Sequence, residues 1–249
     1  MVMYDGSERA GHDVWRYGAQ LPLFNLLGLR RLSAFAALCL TLLICATAQA
    51  APVRILAFGD SLFAGYGLSS DADNIPTRLA AMLKADGHDV TMVNAGVSGD
   101  TTTDGLARLD WSLADKPDLV LLELGANDAL RGQDPDKTRA NLDQILTRLK
   151  AANVPVLLVG MMAPRNLGSE YAAKFDPIYP DLAKKYGVPL YPFILDGVVL
   201  DPKLNQADGL HPNKEGAETV AKRLLPVVEK ALPAKSAANW AAANGAAAN

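Results

Sequence analysis

One serine in this sequence stands where a nucleophile could work. Ser61 belongs to the stretch Phe58-Gly59-Asp60-Ser61-Leu62, which ends an apolar run at residues 53–58 that is typical of a short buried strand. A serine just past such a turn lies at the carboxyl edge of a sheet, where open α/β folds bind their ligands. Glycine, aspartate and serine are also common in ordinary turns, so this stretch alone leaves both interpretations open.

A base for that serine is found near the other end of the chain. Asp208 and His211 are three residues apart, and a carboxylate beside an imidazole fixes the tautomer and orientation of a base that takes a serine proton. The chain has three histidines. Because His12 precedes a predicted cleavage point and His88 lies in a polar turn, His211 is the candidate base.

Hydrogen-bond donors for an oxyanion are found between these two ends. Gly99 follows a strand-like run at residues 90–95, and Asn127 follows another at residues 119–124. Acyl transfer needs donors aimed at the developing oxyanion, and glycine backbone amides and asparagine side chains are suitable donors. Acyl transfer is therefore the chemistry that these residue types could perform together.

The four segments resemble a known family. Gly-Asp-Ser, Ser-Gly-Asp-Thr, Gly-Ala-Asn-Asp and Asp-Gly-Leu-His-Pro occur in the order of the four blocks of SGNH (GDSL) hydrolases. The sequence is most similar to the bacterial acyl-CoA thioesterase, lysophospholipase and arylesterase branch, over about residues 53–232. The resemblance implies that Ser61 is the nucleophile and that Asp208 and His211 complete a catalytic triad. It also implies an oxyanion hole made by the Ser61 and Gly99 backbone amides and the Asn127 side chain.

The resemblance implies a serine esterase that hydrolyses carboxylic esters and thioesters through an acyl-serine, without cofactor or metal. Expected substrates are small-molecule aryl esters, fatty acyl esters and lysophospholipids. Two alternatives stay open: a carbohydrate O-acetylesterase of the same fold, and a non-catalytic binding module that retains the fold. The sequence departs from its relatives at Ala126, where they often carry a second glycine, and this change leaves Asn127 in place.

An apolar substrate pocket is expected beside the catalytic segments. The resemblance implies a groove lined by residues that directly follow catalytic blocks or strand ends, and methionine suits irregular apolar shapes of this kind. Because side chains alternate along a strand, only one of Met161 and Met162 should face the site. The candidates are Leu62, Ala129, Leu130, Met162, Pro164 and Leu167.

The order of apolar runs and helix-period segments predicts an α/β fold. Strands are expected at residues 53–58, 90–95, 119–124, 154–161 and 188–192, and helices at 75–86, 104–113, 135–152, 169–186 and 213–232. Strands without polar alternation are covered on both faces, as in parallel sheets. We therefore expect one domain at residues 51–233, a three-layer α/β/α sandwich with a parallel, doubly wound sheet. The resemblance implies the flavodoxin-like form of that sheet.

The first fifty residues have the pattern of an export leader. Arg30 and Arg31 precede an apolar run at residues 32–48 and a small-residue site that predicts cleavage after Ala50. A retained membrane anchor is the alternative, although the run is short of the ~20 residues of a spanning helix. The mature protein is accordingly expected in the periplasm or secreted, without a stable membrane anchor.

The composition agrees with an exported enzyme that acts on small molecules. The two cysteines, Cys39 and Cys45, both lie in the predicted leader, so no disulfide is expected after processing. The net charge is −3 and there is no basic cluster, which argues against a nucleic-acid partner. Residues 234–249 are mostly alanine and asparagine and are predicted to form a disordered tail.

Overall fold

A single parallel sheet organises the structure. The computed structural model describes residues 51–233, so the predicted leader and tail lie outside the described residues. The strands are β1 (Val53–Gly59), β2 (Val90–Gly96), β3 (Leu119–Glu123), β4 (Val156–Val159) and β5 (Leu190–Tyr191). They are hydrogen-bonded in the order β2-β1-β3-β4-β5, which is the flavodoxin-like order, and every pair is parallel.

The central strands are apolar because both of their faces are covered. All five residues of β3 and all four of β4 are buried, which explains why neither shows polar alternation. Strand β1 pairs with β2 on one side and with β3 on the other, so its end at Gly59 lies opposite Gly96 and one residue beyond the Phe58–Leu122 pair. The loops that follow these three strands therefore meet at one edge of the sheet.

Helices connect and cover the strands. The α-helices within residues 51–233 are α1 (Ser61–Ala64), α2 (Ile75–Ala85), α3 (Thr102–Ser112), α4 (Ala126–Leu130), α5 (Pro135–Ala151), α6 (Ser169–Phe175), α7 (Ile178–Tyr186) and α8 (Lys214–Ala231). Short 3₁₀ turns occur at Asp71–Asp73, Leu113–Asp115 and Arg165–Leu167. Helix α2 packs against α8, while α3, α6 and α7 pack against α5.

The predicted α/β class is confirmed, and the boundaries of the elements show where sequence patterns were wrong. The helix expected at residues 169–186 is two helices, α6 and α7, separated by Asp176 and Pro177. Proline lacks the N–H that an uninterrupted helix needs at that position. The two longest helices within residues 51–233 each begin at an N-cap side chain: Asp134 accepts a hydrogen bond from Asp136 N at the start of α5, and Asn213 accepts one from Gly216 N at the start of α8.

In the part of the chain that the structure describes, no helix is both long enough and apolar enough to cross a bilayer.

Candidate active site

The turn after β1 presents Ser61. Asp60 caps the short helix α1, and its carboxylate accepts a hydrogen bond from Leu62 N at 3.0 Å, which fixes the turn around the serine. Glycine is required at position 59, because a Cβ there would lie 2.5 Å from Glu123 Oε2 and 2.8 Å from Phe63. Strand, glycine and cap together place the Ser61 hydroxyl at the carboxyl edge of the sheet.

Ser61, His211 and Asp208 form a continuous hydrogen-bonded chain. Ser61 Oγ lies 2.9 Å from His211 Nε2, and His211 Nδ1 lies 2.7 Å from Asp208 Oδ2. The other Asp208 oxygen, Oδ1, accepts hydrogen bonds from the backbone N–H groups of Leu210 and His211 at 2.9 and 3.0 Å. With both carboxylate oxygens engaged, the imidazole has one orientation, and it presents Nε2 to the serine.

Asp208 is held as a carboxylate. Partial burial is the largest single effect on this carboxyl and raises its pKa, but the hydrogen bonds from the His211 side chain and from the two backbone amides outweigh it. The resulting pKa of Asp208 is about 2, below its ordinary value of 3.8. Asp208 is therefore ionised over the whole neutral range and able to accept a hydrogen bond from the N–H at His211 Nδ1.

The segment that carries His211 is fixed on both sides. Gln206 N donates to the carbonyl of His211 at 2.8 Å, and Asn205 forms an isolated antiparallel bridge with Pro212. The Tyr66 ring, just after α1, lies against the His211 ring with centroids 4.7 Å apart and planes tilted by 43°. Helix α8 then begins directly after the Asn213 cap. The histidine is thus held between the loop after α1 and the start of α8.

Three groups are the candidate oxyanion donors: the Ser61 and Gly99 backbone amides and the Asn127 side chain. The backbone N–H groups of Ser61 and Gly99 have no acceptor within residues 51–233. Gly99 has φ of +87°, a conformation that favours glycine, and its carbonyl accepts a hydrogen bond from Arg131 Nη2 at 2.8 Å. Asn127 Nδ2 donates to the Asp100 carbonyl at 3.0 Å and to Asp60 Oδ2 at 3.3 Å.

A buried acidic pair lies beneath the Ser61 turn. Glu123, at the end of β3 and 1% exposed, accepts a hydrogen bond from Asp60 N at 3.1 Å. Burial raises the pKa of Asp60 to about 6. Burial and the negative charge of Asp60 raise the pKa of Glu123 well above its ordinary value. Sequence reasoning missed Glu123, although a single carboxylate in the apolar run Leu121-Leu122-Glu123-Leu124 was a detectable signal.

Asp128, the neighbour of Asn127, holds α4 against two other helices. Its Oδ2 accepts from Thr102 N at 2.8 Å, and its Oδ1 accepts from the hydroxyls of Thr102 and Thr138 at 2.5 and 3.2 Å. These bonds fix α4, and with it Asn127, against α3 and α5. No three His, Cys, Asp or Glu side chains within residues 51–233 are grouped so that they could hold a metal ion.

The two acidic residues after Gly99 behave differently. Asp104 caps α3 in a reciprocal arrangement with Thr101. Asp100 does not cap the helix: its carboxylate accepts a hydrogen bond from Arg108 Nε at 2.6 Å, and its side chain is 13% exposed. An ion pair between the Gly99 loop and helix α3 thus takes the place of solvent around Asp100.

The residues expected to line a pocket do not all lie on the surface. Leu62 lines a small recess beside Ser61, Tyr66 and His211. Leu130 and Met162 are exposed, whereas Met161 is buried and Ala129 is only 1% exposed, within the core. Pro164 and Leu167 are half-buried in the loop after β4. Exposed candidates thus remain at the end of α4 and in the loop after β4, and Ala129 cannot line an open groove.

Comparisons with known proteins agree with this geometry. The model of the GDSL-like lipase/acylhydrolase family matches residues 57–219. Thioesterase 1/protease 1/lysophospholipase L1 of Escherichia coli is 44% identical over 185 residues, which cover 72% of this chain and 86% of the relative. The arylesterase of Vibrio mimicus is 41% identical over 194 residues, which cover 76% of this chain and 96% of the relative.

A solved structure gives the same result. The crystal structure of AlinE4, an SGNH-hydrolase family esterase, is 47% identical and superposes with a TM-score of 0.62, covering 74% of this chain and 98% of its own. Fold and comparisons together define an ester hydrolase. The chain belongs to the GDSL-like lipase/acylhydrolase family, as the resemblance of its four sequence blocks predicted.

Proposed function

We propose that Ser61 is the nucleophile in a two-step acyl transfer from carboxylic esters and thioesters to water. The observation that carries the proposal is the chain of bonds from Ser61 Oγ through the His211 ring to Asp208, at 2.9 and 2.7 Å. His211 takes the proton as Oγ attacks the carbonyl carbon, and Asp208 stabilises the imidazolium that forms. His211 gives the proton to the leaving alcohol or thiol, and an acyl-serine remains.

The second step regenerates the enzyme. A water molecule loses a proton to His211 as it attacks the acyl carbon, and the acid is released when that proton returns to Ser61 Oγ. Both tetrahedral intermediates carry an oxyanion. The Ser61 and Gly99 amides, which have no acceptor within residues 51–233, are the proposed backbone donors.

Asn127 is the proposed side-chain donor to the oxyanion. Of its two contacts, the 3.3 Å bond to Asp60 is the longer and weaker, so it is the one that an oxyanion replaces. Asn127→Ala is expected to lower kcat on the order of a hundredfold. Near-normal turnover of that variant would remove Asn127 from the oxyanion hole.

The surroundings of Ser61 favour apolar acyl or aryl groups. Tyr66 lines the recess beside Ser61 and His211, and Leu210 directly precedes His211. Both are exposed large apolar side chains, as are Leu130 at the end of α4 and Met162 after β4. Apolar surface next to the reactive hydroxyl can remove an acyl chain or an aromatic ring from water. We infer that aryl esters, fatty acyl esters and lysophospholipids are better substrates than acetyl groups on a carbohydrate.

Export is part of the same proposal. The Arg30-Arg31 pair, the apolar run at residues 32–48 and the small residues before Ala51 support processing by a signal peptidase. We infer that the mature enzyme begins at Ala51 and works in the periplasm or outside the cell. The N-terminal sequence of the protein recovered from the periplasm and medium tests this, and a chain that still carries residues 32–48 would contradict it.

Chain-length specificity tests the substrate class. Purified protein is assayed with p-nitrophenyl esters from acetate to palmitate and with a fatty acyl thioester, beside Ser61→Ala. We expect turnover of medium and long chains that Ser61→Ala abolishes. Activity confined to acetate would favour the carbohydrate O-acetylesterase, and equal turnover by both proteins would remove Ser61 as nucleophile.

A further inference from the structure

Arg108 reaches the active site from helix α3. Its Nη2 donates to the Gly59 carbonyl at 2.9 Å and its Nε donates to Asp100 Oδ2 at 2.6 Å. The guanidinium carbon lies 4.1 Å from the centroid of the Phe58 ring, and the side chain is 19% exposed. A mostly buried cation with two short bonds and an aromatic face has a single conformation.

The first of these bonds fixes the peptide that precedes the nucleophile. The Gly59 carbonyl and the Asp60 N–H belong to one peptide unit, which Arg108 and Glu123 hold from its two ends at 2.9 and 3.1 Å. Val97 N adds a second donor to the same carbonyl at 3.0 Å. Rotation of this peptide would move Ser61, because the serine is the next residue along the chain.

The second bond fixes the loop that bears the oxyanion donors. Asp100 follows Gly99 directly, and its carbonyl accepts the 3.0 Å hydrogen bond from Asn127 Nδ2. Asn127 in turn contacts Asp60 at 3.3 Å. The bonds therefore form a closed ring through Arg108, Asp100, Asn127 and the Gly59-Asp60 turn. In this ring Arg108 joins the Gly59 carbonyl to the Asp100 carboxylate, and Asn127 joins Asp60 to the Asp100 carbonyl.

We propose that Arg108 is a positioning residue that sets the distance between Ser61 and the oxyanion donors Gly99 and Asn127. The inference rests on the proposed function of these three residues. Two acceptors on different loops require two donors in a fixed fork, which a guanidinium has and an ammonium lacks. Arg108 bonds to the two loops and is not among the residues that line the recess beside Ser61. Its removal should therefore slow the chemical step and leave substrate binding almost unchanged.

The test compares Arg108→Met, Arg108→Lys and a matched surface control. Arg148 pairs with Asp110 on α3 at 3.3 Å, and both side chains are exposed. Arg148→Met therefore removes an arginine ion pair that is not part of the ring of bonds through Arg108. With a p-nitrophenyl ester, we expect Arg108→Met to lower kcat about tenfold or more and to change KM less than about threefold. Arg108→Lys should recover part of kcat, and Arg148→Met should resemble wild type.

A double-mutant cycle separates positioning from general damage to the fold. If Arg108 acts through the oxyanion donors, Arg108→Met should cost much less kcat in the Asn127→Ala background than in the wild-type background. Equal costs in both backgrounds would overturn the proposal, as would wild-type kcat in Arg108→Met. If Arg108→Met does not fold, Asp100→Asn, which weakens the same ion pair and keeps the Asp100 carbonyl, takes its place in the cycle.

The controls distinguish failure of this inference from failure of the proposed function. Wild-type turnover in Ser61→Ala or Asn127→Ala would overturn the proposed function, and with it the role of Arg108. Loss of turnover in those two variants together with full turnover in Arg108→Met would overturn the positioning role alone.

Discussion

Glu123 binds the backbone N–H of Asp60 through one carboxyl oxygen, at 3.1 Å, while its other oxygen, Oε1, is buried without a partner among residues 51–233. Burying an ionised carboxylate with one oxygen unpaired would cost much folding free energy, and burying a neutral carboxyl costs less. The raised pKa of Glu123, caused first by burial and then by the charge of Asp60, agrees with a proton held by this group. The support of the Ser61 turn is therefore sensitive to pH.

Glu123→Gln should change how stability depends on pH. Because burial and Asp60 raise the folded-state pKa of Glu123 above 4.5, its stabilising contribution is fully present below pH 4.5 and is lost as pH rises through the folded pKa. Each pH unit over which only the folded state holds this proton costs about 1.4 kcal/mol. The variant removes this slope, so its free energy of unfolding should fall less between pH 5 and neutral pH, as followed by urea denaturation.

A matched variant checks that result. Glu170 lies on α6 with its side chain 92% exposed, so Glu170→Gln should reproduce the wild-type pH dependence. Parallel stability curves for wild type and Glu123→Gln would show that Glu123 is ionised in the folded protein.

Asp208→Asn should abolish most turnover without disturbing the fold. An amide can turn its NH₂ group toward His211 Nδ1, which favours the tautomer that cannot accept the Ser61 proton, and kcat should fall about 10⁴-fold. The matched control is Asp201→Asn, since Asp201 Oδ1 accepts from Lys203 N at 2.9 Å in the same segment. Steady-state kinetics should show near wild-type kcat for the control. A loss of less than tenfold in Asp208→Asn would remove Asp208 from the triad.

Gly99→Ala should lower turnover more than stability explains. Both Gly99 and Gly187 have positive φ, +87° and +66°, and an added Cβ would meet nothing closer than 3.6 Å at either position. Each alanine variant should therefore lose about 1–2 kcal/mol of stability through backbone strain alone. Only Gly99→Ala should also lose at least about tenfold in kcat, because relief of the strain there would move the backbone N–H that is the proposed oxyanion donor. Equal kcat in the two variants, at equal thermal stability, would contradict that role.

Tyr66 should contribute to the orientation of His211 through its ring. The centroids are 4.7 Å apart, and an aromatic pair contributes about 0.5–1.5 kcal/mol, which corresponds to roughly 2–10-fold in rate. We expect Tyr66→Ala to lower kcat by that factor and Tyr66→Phe to retain it. If Tyr66→Phe falls as far as Tyr66→Ala in the p-nitrophenyl assay, the hydroxyl is responsible and the ring contact is not.

Much of the fold followed from local sequence patterns. Unbroken apolar runs predicted β3 and β4, because strands covered on both faces tolerate few polar residues. Helix-period segments at residues 135–152 and 213–232 predicted α5 and α8. The break at Pro177 was missed because the apolar periodicity continues across it from α6 into α7. Proline overrides that periodicity through its absent N–H.

The candidate site was likewise predicted only in part from the sequence. The residues at its surface, Ser61, Asp208 and His211, were found because their types and spacing match a reaction. The residues beneath it were not, since Arg108 and Glu123 act through partners far away in sequence, Arg108 on Gly59 and Glu123 on Asp60. No local pattern connects a helical arginine to a strand-end carbonyl, and only the assembled sheet brings them together.

Ser61 and His211, which share a hydrogen bond, are separated by 150 positions in the chain. A ribosome therefore delivers the proposed nucleophile first, then the loops with Gly99 and Asn127, and the proposed base after all of them. On the proposed mechanism, a nascent chain that has exposed Ser61 but not His211 has a serine without its base. Ester cleavage would then begin only after the His211 segment has left the ribosomal tunnel.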